Sequence, residues 1–560
     1  MLNLRKKYRN LKRAREILAV LARFGLSYFL DLPAIEKYLN LSRKFFRTEA
    51  IETKIEKLTL PKRVRLALEA LGPTFIKFGQ ILSTRPDLIP REFVDELSFL
   101  QDEVPAFSYE EAAKIISSEF GQNVDELFLT FDQVPVAAAS LSQVHKAVLR
   151  TGETVAVKIQ RPNIKEIIEN DLAILYDLAK FVEKRLTKGY LYQPAEIVNV
   201  FSQNLRRELD FLGEGRNLDK FNENFKDIPS IHFPKVYWQL TSAKILTMEF
   251  IDGVKISKVA ADKSLTFDKK TIAMRGADAV LKQIFEDGFF HGDPHPGNIF
   301  ILPGNEIAFL DCGLVGKLDK ANKALIADQL IGVIKNDADK IISTWQEMDI
   351  ISQDSDLKGI KARLESFLDK YVNMPLKSLK IGEIFEEFLD IITCCQVRVP
   401  TDFVLLSKAM VTIESIGRQL DGDFNLVEHA RPFAEKLLQK KLEPKEILAR
   451  SQILAGNYLK LAESFPDEWR WLLRTLRRGE LSFHISHKNL EKLSMEIDQA
   501  SNRLSFSLII AALIVGSSFI MNTSRGPFIL GYPVLGVAGY IIAGVFGIGL
   551  IISIIRRGRF

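Results

Sequence analysis

The sequence predicts an α+β chain: a helical start, a small antiparallel sheet, a large helical lobe and a closing pair of membrane-spanning helices. Three observations carry this. Short runs rich in β-branched and apolar residues are concentrated between residues 126 and 250. Helical periodicity of charged and aliphatic residues dominates on either side. Two stretches lack any charge, 18 residues from Leu504 to Met521 and 29 from Pro527 to Ile555, and a helix needs ~20 apolar residues to cross a bilayer. The segments read as 1–125, a helical extension; 126–250, a sheet-bearing lobe; 251–500, a helical lobe; and 501–560, the transmembrane pair.

Composition fits this division. Of 560 residues 47% are hydrophobic and 26% charged, with 76 Lys and Arg against 71 Asp and Glu, a balance of +5; that excludes disordered and collagen-like chains. Cys312, Cys394 and Cys395 suit neither a disulfide framework nor a thiolate zinc site, which points to a reducing compartment. Near charge neutrality without interleaved basic and aromatic residues argues against a nucleic-acid partner.

In chain order, Arg5, Lys6, Lys7, Arg9, Lys12, Arg13 and Arg15 precede the apolar run Ile17 to Leu21. The run is short for a secretory signal. It reads either as a basic amphipathic helix on anionic lipid or as an ordinary first helix with a solvated basic face. Residues 51–71 and 91–100 have helical spacing. Three antiparallel strands are expected at 126–131, 141–149 and 154–160, then helices at 164–186 and 197–212, and a strand pair at 235–237 and 244–250. The remainder to about residue 500 reads as helical, except a loop-rich segment at 289–313. The two C-terminal helices form a tight hairpin: Arg503, Arg556, Arg557 and Arg559 lie at the outer ends against a lone Arg525 in the turn, which places both chain termini in the cytoplasm. Gly539, Ala543 and Gly547 make a small-residue stripe, suited to packing within the hairpin or to pairing two copies of the chain.

The loop-rich segment carries the chemistry. Asp293 and Asn298, in His291-Gly-Asp-Pro-His-Pro-Gly-Asn298, have the D-x-x-x-x-N spacing of a phosphotransferase catalytic loop, in which the Asp handles the nucleophile's proton and the Asn binds magnesium. A hairpin of residues 299–302 and 307–310, with a turn at 303–305, would return the chain so that Asp311 joins Asn298 at the metal, as in D-F-G. Hard oxygen ligands of this kind suit magnesium. Zinc on His291 and His295 would require a helix that Pro294, Pro296 and Gly297 oppose, so the histidines are expected to shape the loop by hydrogen bonding.

Upstream, Val155-Ala-Val-Lys158 ends in a strand lysine placed like that of V-A-I-K, which binds nucleotide phosphates and pairs with a helix glutamate. Glu208, within Arg207-Glu-Leu-Asp210, is the expected partner. The loop before the second strand, Ala137, Ala138, Ala139 and Ser140, has alanines where a phosphate-covering loop would carry glycines. Gly292 rather than Arg precedes Asp293 and no A-P-E segment follows, so a peptide-docking groove of the ordinary protein-kinase kind is not expected.

These pieces resemble one family, the UbiB/AarF (ADCK-like) atypical kinases. The likeness runs from about residue 60 to 320 and is most specific in Leu71-Gly-Pro-Thr-Phe-Ile-Lys-Phe-Gly-Gln80, whose Lys77, Gly79 and Gln80 form a K-x-G-Q motif. The alanine-rich loop, Lys158, the E-x-D pair Glu208 and Asp210, the hinge-like Met248-Glu249-Phe250 and Asp311-Cys-Gly313 follow in the family's order. The resemblance implies a bilobal protein-kinase-like fold with an N-terminal extension laid over the peptide-docking site. It implies Mg2+-dependent binding of ATP or ADP, slow hydrolysis, and support of isoprenoid quinone synthesis at a bacterial inner membrane. Carried over residue by residue, Lys77 and Gln80 would face the nucleotide, and Lys158, Glu249 and Phe250 would contact it. Glu208 and Asp210 would form the lysine network, Asp293 would be the catalytic-loop acid, and Asn298 and Asp311 the metal ligands. Partners would be membrane lipids or quinone intermediates and quinone-synthesising enzymes. Competing readings are a small-molecule or lipid phosphotransferase and a nucleotide-binding scaffold.

Overall fold

The computed structural model describes residues 2–26, 58–83, 89–100, 105–183, 194–262, 264, 266–347, 351, 356–372, 374, 381–394, 401–442, 477, 490–522, 527–529 and 532–556. They divide into two compact units, Met1–Arg450 and Ser451–Phe560.

The first unit begins with α1 (Leu2–Arg23), α2 (Leu60–Leu71), α3 (Pro73–Ser83) and α4 (Arg91–Leu97). These helices share an apolar cluster with Ile17, Leu68, Phe75 and Leu97 at its centre. Arg13 reaches inward, pairing with the buried Asp171 at 2.9 Å and donating to the Leu71 carbonyl at 2.8 Å. The apolar face of α1 is thus covered by protein, with Ile17 and Leu18 0% and 1% exposed, which decides for an ordinary first helix over one whose apolar side rests on lipid.

Next come α5 (Tyr109–Phe120), the short α6 (Val124–Leu127), β1 (Phe128–Phe131), β2 (Ala137–Ala138), β3 (Ser142–Leu149) and β4 (Thr154–Gln160). A capping box of Ser108 and Glu111 starts α5, and Gly121 in the left-handed region ends it. After α7 (Ile164–Glu183), α8 (Pro194–Glu208), α9 (Phe211–Phe225) and β5 (Ile231–His232), strand β6 (Ile245–Glu249) completes a five-stranded antiparallel sheet in the order β1-β3-β4-β6 with β2 on β3. Strand alternation sends Val155, Val157 and Ile159 into the cluster beneath α5. Ala156 and Lys158 face the opposite side, towards α9. Sequence periodicity joins residues 197–212 into one helix, yet the chain breaks at Leu209-Asp210, where Asp210 accepts from Gly213 N–H at 2.9 Å and begins a new helix.

Beyond the sheet lie β7 (Val254–Lys255), α10 (Ile256–Ala261), α11 (Lys269–Leu281), a wide π turn (Lys282–Asp287), β8 (Phe289–His291), β9 (Ile299–Leu302), β10 (Glu306–Phe309) and β11 (Val315–Lys317). The expected hairpin forms: β9 and β10 pair antiparallel, with Phe309 opposite Ile299, in a four-stranded sheet ordered β5-β10-β9-β7. Helices α12 (Lys320–Ile334), α13 (Ala338–Glu347), α14 (Leu357–Val372), α15 (Ile381–Cys394), α16 (Thr401–Leu420) and α17 (Leu426–Leu442) follow. Leu405, Ala409, Ile413 and Ile416 drive α16 into the main core. A stack of rings ties this core to the loops: Phe221 of α9 lies on Phe233 at 4.7 Å between centroids, and Phe233 lies on Phe309 of β10 at 5.5 Å.

The second unit contains α18 (Leu490–Met521), β12 (Phe528–Ile529), β13 (Tyr532–Pro533) and α19 (Val534–Arg556). Stretches of 22 residues (Ala500–Met521) and 18 residues (Val534–Ile551) are apolar enough to cross a membrane. The sequence extends the second helix back to Pro527. Instead Phe528–Ile529 and Tyr532–Pro533 pair as two short strands, because Pro533 lacks the N–H that a helix interior needs and α19 begins behind it. The small-residue stripe serves the hairpin at two of its three positions: a Cβ on Gly539 would strike Ser517 of α18, Ala543 is 3% exposed, and Gly547 has no neighbour within 4 Å of where a Cβ would stand. Arg525, Arg557 and Arg559 lie outside the described residues.

Phe233 sits in mid-stack at 1% exposure. Phe233→Ala is expected to destabilise the first unit by about 3–5 kcal/mol, the scale of an emptied aromatic site, and Phe233→Leu by less. Chemical denaturation midpoints measure this; an unshifted midpoint for the Ala variant would show the stack to be dispensable.

Candidate active site

The site is assembled where the face of β4, the N-terminal turn of α9 and the chain leaving β10 converge. Lys158 extends from β4 to Glu214, its Nζ lying 2.8 and 2.9 Å from the two carboxylate oxygens. Asp311 approaches the same ammonium at 3.8 Å. The expected pairing of Lys158 with Glu208 is corrected. Glu208 lies at the end of α8 and binds Lys77 of α3 at 3.2 Å, and Glu214, one turn into the next helix, is the lysine's partner. Asp210 meets neither lysine directly. It caps α9 and pairs with Arg216 at 3.5 Å, while its carbonyl accepts from Glu214 N–H at 2.9 Å. The E-x-D motif therefore divides its work: one carboxylate holds the extension and the other starts the helix that presents Glu214.

Burial and charge set the protonation of this cluster. Burial alone would lower Lys158, but the Asp311 and Glu214 carboxylates outweigh it and hold the ammonium above the ordinary lysine range. Burial pushes Glu214 up, Lys158 pulls it back, and Asp311 and Glu208 push again, leaving it at about 7. Lys158 holds Asp311 below the usual carboxylate range. Negative charge thus crowds one cation, and Asp311, with 53% of its side chain exposed, keeps its carboxylate open to the cleft.

The loop from His291 to Asn298 is shaped by its histidines, as expected. Asp293 N–H donates to His291 Nδ1 at 3.1 Å, so Nε2 carries the ring proton and donates to the Leu310 carbonyl at 3.2 Å. Burial pushes this imidazole down, which keeps it neutral. His295 Nδ1 accepts from Gly297 N–H at 3.1 Å. Leu310 N–H donates to the Asn298 carbonyl at 2.8 Å, which sets Asn298 beside the turn into Asp311. Asp311 itself has φ of +47°, a left-handed conformation uncommon for a residue with a side chain. Among the described residues no group of three or more His, Cys, Asp or Glu could hold a metal. Cys312 is fully buried, its thiol pushed up by burial first and by the carboxylates next, and its carbonyl accepts from Asn217 at 2.9 Å.

Around this centre the remaining candidates take varied positions. Ala137 and Ala138 pair with Val144 and Gln143 of β3, and the Ala139 carbonyl accepts from Arg161 at 2.8 and 2.9 Å. Ser140, 1% exposed, has a hydroxyl without a hydrogen-bond partner. At the hinge, Glu249 N–H donates to Lys235 O and Phe250 N–H to Thr154 O, and the Glu249 carboxylate pairs with His232 at 2.9 Å. The amides of Glu249 and Phe250 are therefore engaged with protein rather than free for a base. Gln80, expected to face the nucleotide, donates to the Leu100 carbonyl at 3.2 Å. A Cβ on Gly79 would run into Leu100 and Leu68, so this glycine permits the close packing of α3.

A strand lysine held by a helix glutamate above a D-x-x-x-x-N loop is the arrangement of the protein-kinase-like class. Comparison with known proteins narrows the class. Residues 99–345 match the ABC1 atypical kinase-like domain, 364–425 the UbiB helical domain and 488–556 the ABC1/UbiB kinase-like C-terminal domain. An uncharacterized protein in the hydrogenase 1 5′ region of Clostridium pasteurianum is 32% identical over 98% of this chain and 99% of its own length. A probable protein kinase UbiB of Pseudomonas fluorescens is 35% identical, covering 79% of this chain and 83% of its own. The chain belongs to the UbiB/ABC1 family of atypical kinases.

Glu214 without Lys158 would be a buried carboxylate with no direct cation, and its pKa would climb beyond about 7. A carboxyl raised in the folded state over its ordinary 4.5 binds extra protons there, so stability falls as pH rises through that window. Lys158→Met is therefore expected to cost more at pH 8, about 3–5 kcal/mol, than at pH 6, and adding Glu214→Gln should flatten the difference. Denaturation midpoints at the two pH values check this, and an equal loss at both would refute the coupling.

Proposed function

We propose that this chain is a membrane-anchored atypical kinase or ATPase that binds Mg2+-ATP and supports isoprenoid quinone synthesis by acting on or presenting lipid intermediates. The observation that carries the reading is the Lys158–Glu214–Asp311 cluster, set beside the loop bearing Asp293 and Asn298. Lys158 would meet nucleotide phosphates, and the unpartnered Ser140 hydroxyl would gain an acceptor when phosphates enter beneath the alanine loop. Asn298 and Asp311 would hold Mg2+, which when bound supplies neutralising charge for the phosphates. Asp293, 38% exposed, would orient the attacking hydroxyl or water. Lys77 bound to Glu208 draws the K-x-G-Q helix to this site, which supports hydrolysis or a small acceptor over a peptide. The apolar pair α18 and α19 suits a membrane anchor, and the excess of arginines at its outer ends supports an inner-membrane protein with its kinase-like unit in the cytoplasm.

A second reading, a phosphotransferase acting on a small molecule or lipid, is favoured by the solvent-open Asp293. Labelled ATP incubated with purified protein and a lipid extract separates the two: the ATPase reading expects free phosphate alone, the transferase reading a labelled lipid. For the leading reading, Asp311→Asn is expected to lower Mg2+-dependent ATP hydrolysis on the order of 100-fold, the scale of losing an electrostatic partner of the transition state. It should also fail to restore quinone content in a deletion strain. Normal quinone content with that variant would overturn the nucleotide-driven role.

A further inference from the structure

The catalytic loop lacks a cation of its own. No Lys or Arg occurs from His291 to Asn298, and Gly292 stands immediately before Asp293. Lys77 and Lys158 are held by Glu208 and Glu214. Lys408 of α16 fills the gap, its Nζ 3.0 Å from Asp293 Oδ1. This helix lies outside the matched kinase-like domain, within the stretch that matches the UbiB helical domain. We infer that Lys408 is a positioning residue for Asp293, so that the helical domain supplies a working group to the kinase-like site. The inference rests on the proposed role of Asp293.

Three physical points support it. The pair is partly open, 28% and 38% exposed, and an ion pair in that setting contributes ~1 kcal/mol or less to stability, too little for a structural staple. The backbone beneath Lys408 is rigid: Leu405 and Ala409 are 8% and 0% exposed in the main core, and Ile413 and Ile416 continue the same buried face. An ammonium on such a base keeps its place when substrate enters. Holding one carboxylate oxygen also fixes the group's rotation, so that the other can be aimed at the proton of an attacking hydroxyl or water.

The test uses the full-length chain in detergent, with Lys408→Met, Lys408→Arg, Asp293→Asn and the Asp293→Asn/Lys408→Met pair. Mg2+-ATP affinity by calorimetry, steady-state hydrolysis and the acylation rate of Lys408 in nucleotide-free protein are measured. Lys408→Met is expected to bind nucleotide within about twofold of the parent while kcat falls about tenfold or more with little change in KM; Lys408→Arg should recover much of the loss. The double variant should be no slower than Asp293→Asn alone. Lys408 should acylate several-fold faster once Asp293 is Asn, because its Nζ is then no longer held at 3.0 Å against a carboxylate. Hydrolysis by Lys408→Met within twofold of the parent, a loss that follows nucleotide affinity, multiplicative losses in the double variant, or an unchanged acylation rate would each overturn the inference. A parent chain that binds no Mg2+-ATP would instead overturn the proposed function, and the positioning role with it.

Discussion

One part-buried ammonium, Lys158 between Glu214 and Asp311, is the constraint to which the surrounding architecture answers. A charge removed from water needs partners in good geometry, and each partner must itself be held. Glu214 is held because Asp210 starts α9 at the right residue. Asp311 is held because β9 and β10 pair in register and Leu310 is tied back to Asn298. The stacked rings of Phe221, Phe233 and Phe309 then lock α9 to β10, so the two carboxylates approach the lysine from elements that cannot drift apart without breaking the core.

The same carboxylate excess explains how the extension is recruited. Glu208 adds a further negative group near Lys158, and Lys77 arrives on α3 to neutralise it. Gly79 lets α3 sit close against Leu68 and Leu100. Charge and shape in one short motif therefore serve different ends: Lys77 points to the site, while Gly79 and Gln80 secure the helix that carries it.

Much of this was legible in the sequence. Strands β3 and β4 and the hairpin of β9 and β10 showed themselves because turn residues bracket β-branched runs. The D-x-x-x-x-N loop was readable because the chemistry that pattern serves needs particular residues at close spacing. Glu214 was not. Periodicity from Ile197 runs smoothly through Leu212 and hides the break at Leu209-Asp210, so the acidic residue nearest the expected helix end took its place. The signal that could have found it is the Asp210-x-x-Gly213 cap followed by the apolar series Phe211, Leu218 and Phe221. Nor could sequence join Lys408 to Asp293, since contact across 115 positions is set by tertiary packing and leaves no local mark. The basic start of α1 left two readings open, because composition cannot show that Arg13 turns inward to Asp171.

Cys312, directly after Asp311, occupies the place where the D-F-G pattern has an aromatic side chain. Fully buried and pushed away from its thiolate form, it is a poor target for oxidants, because only an exposed thiolate reacts readily. Oxidative damage next to Asp311 is thereby made conditional on local opening of the loop, and the accessibility of this one sulfur becomes a built-in gauge of how often the site comes apart.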